Sequence, residues 1–133
     1  MRLYLVRHAK AVSGEPDELR ELTPAGEERA RELGMKLAAD GVRPSVILTS
    51  PLVRARQTAD ELGRALGTPV EVDERLAPGA TSDGVREAVA GRGEVVMTVG
   101  HQPDCGVIAA ELTGGPPPDF PTASAVAVEL PAG

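Results

Sequence analysis

The sequence predicts an α/β fold: a three-layer α/β/α sandwich with a mostly parallel central sheet. Three observations carry that prediction. Short apolar runs alternate with stretches of helical periodicity along the chain, as in strands joined by crossover helices. The helical stretches open on Ser or Thr, twice followed by Pro, and close on Gly. The 133 residues amount to one domain, 1–133, long enough to bury a core on both faces of a sheet.

The elements follow in order. Residues 2–6 (RLYLV) form a short apolar run that reads as a strand buried on both faces, ended by Arg7-His8. Residues 13–22 hold Gly14, Pro16 and four acids without periodicity and read as a loop. Thr23-Pro24 opens a helix, with a hydroxyl at the N-cap and Pro at its first position. Ala30, Leu33, Gly34, Leu37 and Ala38 supply its apolar face, and Gly41 ends it. Ser45 to Thr49 is a second strand. Ser50-Pro51 repeats the cap-plus-Pro signal for a helix whose inner face is Ala55, Thr58, Ala59, Leu62 and Leu66, stopped by Gly67. Val70 to Val72 is a brief strand, followed by a Pro/Gly loop. Ser82 caps a short helix through Val85, Ala88 and Val89. Glu94 to Val99 is another central strand, residues 100–103 a turn, and 104–112 a helix ended by Gly114-Gly115. Pro116 to Pro118 is a rigid connector, and Ala125 to Leu130 the last strand.

Composition narrows the function. Hydrophobic residues make up 41% and charged residues 26%, so the chain is globular, and with one Tyr and one Phe its core must be filled by small and branched aliphatics. The net charge of −6 argues against a nucleic-acid partner, which needs a cationic face to displace counterions. Arginine supplies 12 of the 14 basic residues, which coding bias alone would explain, so each must be judged by position. Cys105 is the single cysteine, which excludes an intramolecular disulfide, and no metal-ligand cluster is present. The run Leu3 to Val6 is too short for a signal segment or a membrane span. The expectation is a cytoplasmic, monomeric protein without a membrane or nucleic-acid partner.

In α/β sheets of this kind, ligands bind beyond the carboxyl ends of the strands. Three segments with reactive side chains lie there: Arg7-His8 after the first strand, Ser50 to Arg54 after the second, and Gly100-His101 after the strand at 94–99. Both histidines and two arginines thereby converge on one rim. Such a set donates to several oxygens of a phosphoryl group and leaves one imidazole to attack phosphorus, with no metal required.

The residues also resemble a known family. Leu5-Val6-Arg7-His8-Ala9-Lys10-Ala11 is similar to the R-H-G signature of the histidine phosphatase (phosphoglycerate mutase-like) superfamily. Residues 50–59 (SPLVRARQTA) resemble its second block, S-P-x-x-R-A-x-Q-T-A, and Gly100-His101-Gln102-Pro103 its third. The three blocks occur in the family's order across essentially the whole chain. Short length, Lys10 and Leu22-Thr23-Pro24-Ala25-Gly26 are closest to the compact, SixA-like phosphohistidine phosphatase branch.

The resemblance implies a phosphoglycerate mutase-like fold and a phosphoric ester or phosphoramidate hydrolase without cofactor or metal. His8 would be the nucleophile, neutral and held in one tautomer by a backbone carbonyl, and would carry the phosphoryl group before water removes it. Arg7, Arg54 and His101 would bind the phosphoryl oxygens, with His101 protonated by the nearby phosphate charge. Ser50 would orient His8 or cap the helix, the cap being preferred. Asp73 and Glu74 are the nearest candidates for a carboxylic general acid, although a solvated loop charge describes each as well. Ala9 stands where the broad pattern has Gly, which restricts the backbone after the nucleophile.

The expected substrate is phosphohistidine on a protein, because an imidazole leaving group takes its proton from water and needs no dedicated acid. Two alternatives stay open: a small phosphomonoester such as a sugar phosphate or nucleotide, and a module that binds phosphoproteins without turnover. Cys105 is no phosphatase nucleophile, since Glu111 stands where a C-x5-R loop needs Arg; it reads as a buried small apolar residue. Asp17 to Glu21 reads as an exposed acidic loop.

Overall fold

The computed structural model describes residues 1–131 of the chain. Five strands alternate with four helices: β1 (Arg2–Arg7), α1 (Pro24–Ala39), β2 (Ile47–Thr49), α2 (Val53–Leu66), β3 (Val70–Val72), α3 (Ser82–Val89), β4 (Val95–Gly100), α4 (Asp104–Thr113) and β5 (Ser124–Glu129). Single 3₁₀ turns lie at Asp17–Leu19 and Glu74–Leu76. The strands form one sheet in the order β3-β2-β4-β1-β5. β1 runs parallel to β4, and β2 runs parallel to both β4 and β3. β5 is antiparallel to β1 and makes the sheet mixed at that edge. The predicted architecture is the one observed.

Side-chain alternation along the central strands sorts the core into two layers. Val6, Ile47, Met97 and Val99 face α1 and α2, where Leu37, Ala55, Ala59 and Leu62 meet them. Leu3, Leu5, Leu48 and Val96 face the opposite way and pack on Val85 and Val89 of α3 and Ile108 and Ala109 of α4. The largest fully buried side chains are aliphatic, as the shortage of aromatics requires. Cys105 sits in the second layer at 4% exposure, with burial pushing its thiol up to about 12, so it is inert packing. No helix among the described residues is long and apolar enough to cross a membrane.

Two local readings are corrected. Ser50 does not cap α2: the N-cap position is Leu52, and Pro51 lies two residues before the first helical turn. Ser82 is the first residue of α3, and its neighbour Thr81 is the cap, its hydroxyl accepting from the Gly84 amide. The segment 13–22 is the exposed acidic loop that the sequence predicts, with a 3₁₀ turn at Asp17–Leu19 within it and Ala11 bridging Leu22 across its base. Adjacent Ser and Thr, or Ser before Pro, give the same sequence signal whichever residue takes the extended cap conformation.

The start of α1 presses against the segment after β1. The Lys10 carbonyl accepts from the Thr23 amide at 2.9 Å, and a Cβ on Gly26 would lie 2.2 Å from that same carbonyl oxygen. Backbone on backbone leaves nothing flexible to yield. Gly26→Ala is therefore expected to lower stability by about 1–3 kcal/mol through overpacking. The check is thermal unfolding, and a Tm equal to that of the parent would show that this close approach imposes no constraint.

Candidate active site

Three neighbouring parallel strands end side by side, and the first residue beyond each carries a polar side chain: His8 after β1, Ser50 after β2 and His101 after β4. The backbone ladder continues past the strand ends to fix them. The His8 amide donates to the Gly100 carbonyl at 3.0 Å, and the Ser50 amide donates to the Val99 carbonyl at 3.0 Å. Arg7, the last residue of β1, donates from a terminal guanidinium nitrogen to the Phe120 carbonyl at 2.8 Å. Arg54, in the first turn of α2, is 6% exposed. The two imidazole centroids are 5.1 Å apart, the charges of Arg7 and Arg54 act on His8 and that of Arg54 on His101, so the four predicted residues gather at one cup-like rim.

The His8 ring donates from Nδ1 to the Ala9 carbonyl at 2.7 Å, because a carbonyl only accepts. That fixes the proton on Nδ1 and leaves the Nε2 lone pair free, as the sequence anticipates. Burial pushes the His8 pKa down to about 4, against the raising effect of the Ala9 carbonyl, and the positive charges of Arg54, Arg7 and Arg20 add to the fall. His101 is likewise pushed down to about 4 by burial, then by His8 and Arg54. Burial first, and then the neighbouring positive charges, keep this ring neutral, whereas the protonated state expected from sequence draws its charge from a phosphate anion.

A stability consequence follows with a definite sign. Both rings have folded-state values below the ordinary 6.5, so between about 4 and 6.5 the unfolded chain binds more protons than the folded one. Their contribution is complete above 6.5 and is lost as the pH falls towards about 4. The urea midpoint is expected to be lower at about pH 5 than at about pH 7. A flat midpoint would show that the rings are not held neutral.

The second motif block earns its residue types. The Thr58 hydroxyl accepts from the Ala9 amide at 3.0 Å and donates to the Arg54 carbonyl at 2.8 Å, stitching the His8 segment to α2. The Gln57 side-chain oxygen accepts from the Leu22 amide at 2.8 Å. Ala9 is fully buried among Leu22 and Ala30, and its φ is not positive, so the methyl packs without strain where the broad pattern has Gly.

The partner of Ser50 is also unexpected: its hydroxyl lies 2.7 Å from Nε2 of His101, not on His8. Asp17 and Arg20 are site residues that the sequence reading did not select. Arg54 donates to the Asp17 backbone carbonyl at 2.9 Å and to its carboxylate at 3.2 Å, while Arg20 donates to the other carboxylate oxygen at 2.9 Å. Desolvation pushes the Asp17 carboxyl up, but the hydrogen bonds and charges of Arg54 and Arg20 outweigh it and hold the group ionised, below the usual carboxylate range. No sequence signal marks Asp17, since its partner is 37 residues away in an aperiodic segment.

Asp73 and Glu74 do not join the cup. Asp73 caps the 3₁₀ turn after β3, accepting from the backbone amide and guanidinium of Arg75, which holds its carboxyl low. Glu74 is exposed on that turn. Each side chain is better placed as a local cap or a solvated charge than as a proton donor.

Among the described residues, three buried side-chain polar atoms lack a hydrogen-bond partner: Arg7 Nε, Arg54 Nε and His101 Nδ1. Buried polar groups are nearly always paired. Three such orphans on neighbouring residues, two of them guanidinium donors, have the chemistry to hold an oxyanion. The same described residues hold no group of three or more His, Cys, Asp or Glu side chains able to grip a metal ion.

Comparison with known proteins gives the same picture. The phosphohistidine phosphatase SixA of Escherichia coli K12 is 33% identical over 135 residues, covering 96% of this chain and 83% of SixA. A solved structure of the protein histidine phosphatase SixA complexed with tungstate superposes with a TM-score of 0.89 at 30% identity, covering 97% of this chain and 88% of the other. The crystal structure of a candidate phosphohistidine phosphatase SixA from Agrobacterium tumefaciens superposes with a TM-score of 0.83 at 32% identity, covering 95% of this chain and 89% of the other. The family model for the histidine phosphatase superfamily (branch 1) matches residues 3–78, which hold the first two sequence blocks together with β1, β2 and β3, and by that match this chain belongs to the histidine phosphatase superfamily.

Proposed function

We propose that this protein is a metal-independent phosphatase that removes the phosphoryl group from phosphohistidine on another protein, through a phosphorylated His8. The observation that carries the reading is the set of three orphaned donors on Arg7, Arg54 and His101 around a histidine whose Nε2 is unprotonated and unbonded. His8 Nε2 attacks phosphorus in line, the phosphorus–nitrogen bond of the substrate breaks, and the departing imidazole takes its proton from solvent. Water then attacks phospho-His8, releasing inorganic phosphate and regenerating the neutral ring. Arg7, Arg54 and His101 hold the equatorial oxygens throughout.

The choice of phosphoramidate over ester rests on the carboxylates. The carboxylate that reaches the cup, Asp17, is bonded to two arginines and stays ionised at neutral pH, so it has no proton to give to an ester oxygen. An imidazole leaving group needs none from the protein. The relationship to SixA, named a phosphohistidine phosphatase, agrees with this preference. All four side chains come from one chain in one domain, so the reading takes the enzyme to act as a cytoplasmic monomer.

The test is phosphate release from a phosphohistidine-bearing protein and from small phosphate esters, with and without a chelator. Release from the phosphoprotein that greatly exceeds release from esters and is indifferent to chelator is the expected result. Equal or faster ester turnover would replace the substrate assignment, tight binding without release would make the chain a binding module, and a metal requirement would overturn the mechanism.

A further inference from the structure

Ser50 and His101 form a buried pair whose proton positions are determined by their surroundings. Ser50 is fully buried and His101 is 5% exposed. The Ser50 oxygen accepts from the Leu52 amide at 3.3 Å and lies 2.7 Å from His101 Nε2. Among the described residues, no other group is hydrogen-bonded to that hydroxyl. Two arrangements are open to a neutral ring. If Nε2 carried the proton, it would donate to Ser50, and the hydroxyl hydrogen would be left without an acceptor. If Nδ1 carries the proton, the hydroxyl donates to Nε2, both atoms are satisfied, and Nδ1–H is left as the unpartnered donor of the ring.

We infer that Ser50 is a positioning residue that locks His101 in its neutral Nδ1–H tautomer, so that His101 grips the phosphoryl group as a neutral hydrogen-bond donor through Nδ1. The inference takes from the proposed function that His101 meets a phosphoryl oxygen. It assigns Ser50 a role through His101, in place of the cap or His8 contact expected from sequence. It also places both histidines in the same tautomer for different ends: His8 to free Nε2 for attack, His101 to free a donor at Nδ1. A donor that is not charged holds the phosphoryl oxygens without adding a proton-dependent charge to the cup.

The experiment is nitrogen-15 NMR of the imidazole rings in the full chain at neutral pH, alone and with inorganic phosphate. With two histidines in the chain, a His8→Gln sample assigns the signals. The expected result is a protonated Nδ1 and an unprotonated Nε2 on both rings, kept with phosphate bound. In Ser50→Ala the His101 ring is expected to lose the Nδ1–H preference while His8 keeps it. Its kcat/KM for the phosphoprotein should then fall about tenfold, the worth of roughly one hydrogen bond. An Nε2–H form of His101 in the wild type, an imidazolium with phosphate bound, or an unchanged tautomer in Ser50→Ala overturns the inference. Should Ser50→Ala not fold, the wild-type tautomer decides alone. Absence of phosphate release by the wild type would sink the phosphatase reading, whereas the tautomer of the protein alone is read without any turnover.

Discussion

His8→Ala is expected to cut phosphate release by about a thousandfold or more, because no other side chain of the cup can carry the phosphoryl group. The guanidinium groups of Arg7 and Arg54 have no lone pair to offer. The Nε2 of His101 is taken by Ser50. The Cys105 thiol is buried, hydrogen-bonds to the Val6 carbonyl at 3.7 Å and has its pKa pushed up to about 12. The variant should nevertheless fold. The His8 ring bonds to the carbonyl of the next residue, a contact that ties no distant elements together, and a half-buried site of this kind changes stability by about 1 kcal/mol. Phosphate release, thermal unfolding and tungstate binding measured together separate chemistry from structure. A variant that still releases phosphate at the parental rate excludes His8 as the nucleophile, while one that loses release, oxyanion binding and fold together would show only that the residue is structural.

Arg54→Ala should lower kcat/KM by about 10²–10³, the usual loss when one oriented donor to a developing anion is removed. Its position in the first turn of α2, at 6% exposure, holds the guanidinium in place before substrate arrives. The same fork is bonded to Asp17, so an incoming phosphoryl group competes with a carboxylate of the chain itself. Asp17→Asn should therefore move binding in the opposite direction, with inorganic phosphate inhibiting a few-fold more tightly, an effect weakened by salt because the Asp17 side chain is exposed. Inhibition constants for phosphate in the two variants check both signs. If Asp17→Asn bound phosphate more weakly, the carboxylate would be serving to orient Arg54 for the ligand.

The parts of this protein legible in the sequence are those set by local chemistry. The apolar run at residues 2–6, the central strand at 94–99 and the glycine stops at Gly41, Gly67 and Gly114 read directly, and each of these glycines takes a positive φ just beyond a helix. Arg7, His8, Arg54 and His101 were legible because strand ends in a parallel sheet place whatever follows them at one rim. What stayed hidden depends on the path of the chain through space. Asp17 meets Arg54 across a turn with no periodic signal, and Ser50-Pro51 looks like a helix start although the serine faces a histidine 51 residues away. Asp73 was nearest to the rim by order in the chain, but an arginine two residues on claims its carboxylate.

The three strand ends that carry His8, Ser50 and His101 belong to the middle of the sheet, where β4 is flanked by β1 and β2. The amides of His8 and Ser50 are hydrogen-bonded to the β4 side of that ladder, so their exchange with deuterium requires the sheet itself to come apart. The segment bearing Asp17 is fastened at its tip by side-chain bonds from two arginines and is expected to open at lower free energy. Two levels of resistance to exchange are therefore expected, with His8 exchanging only as the domain opens and the Asp17 segment exchanging many times before that.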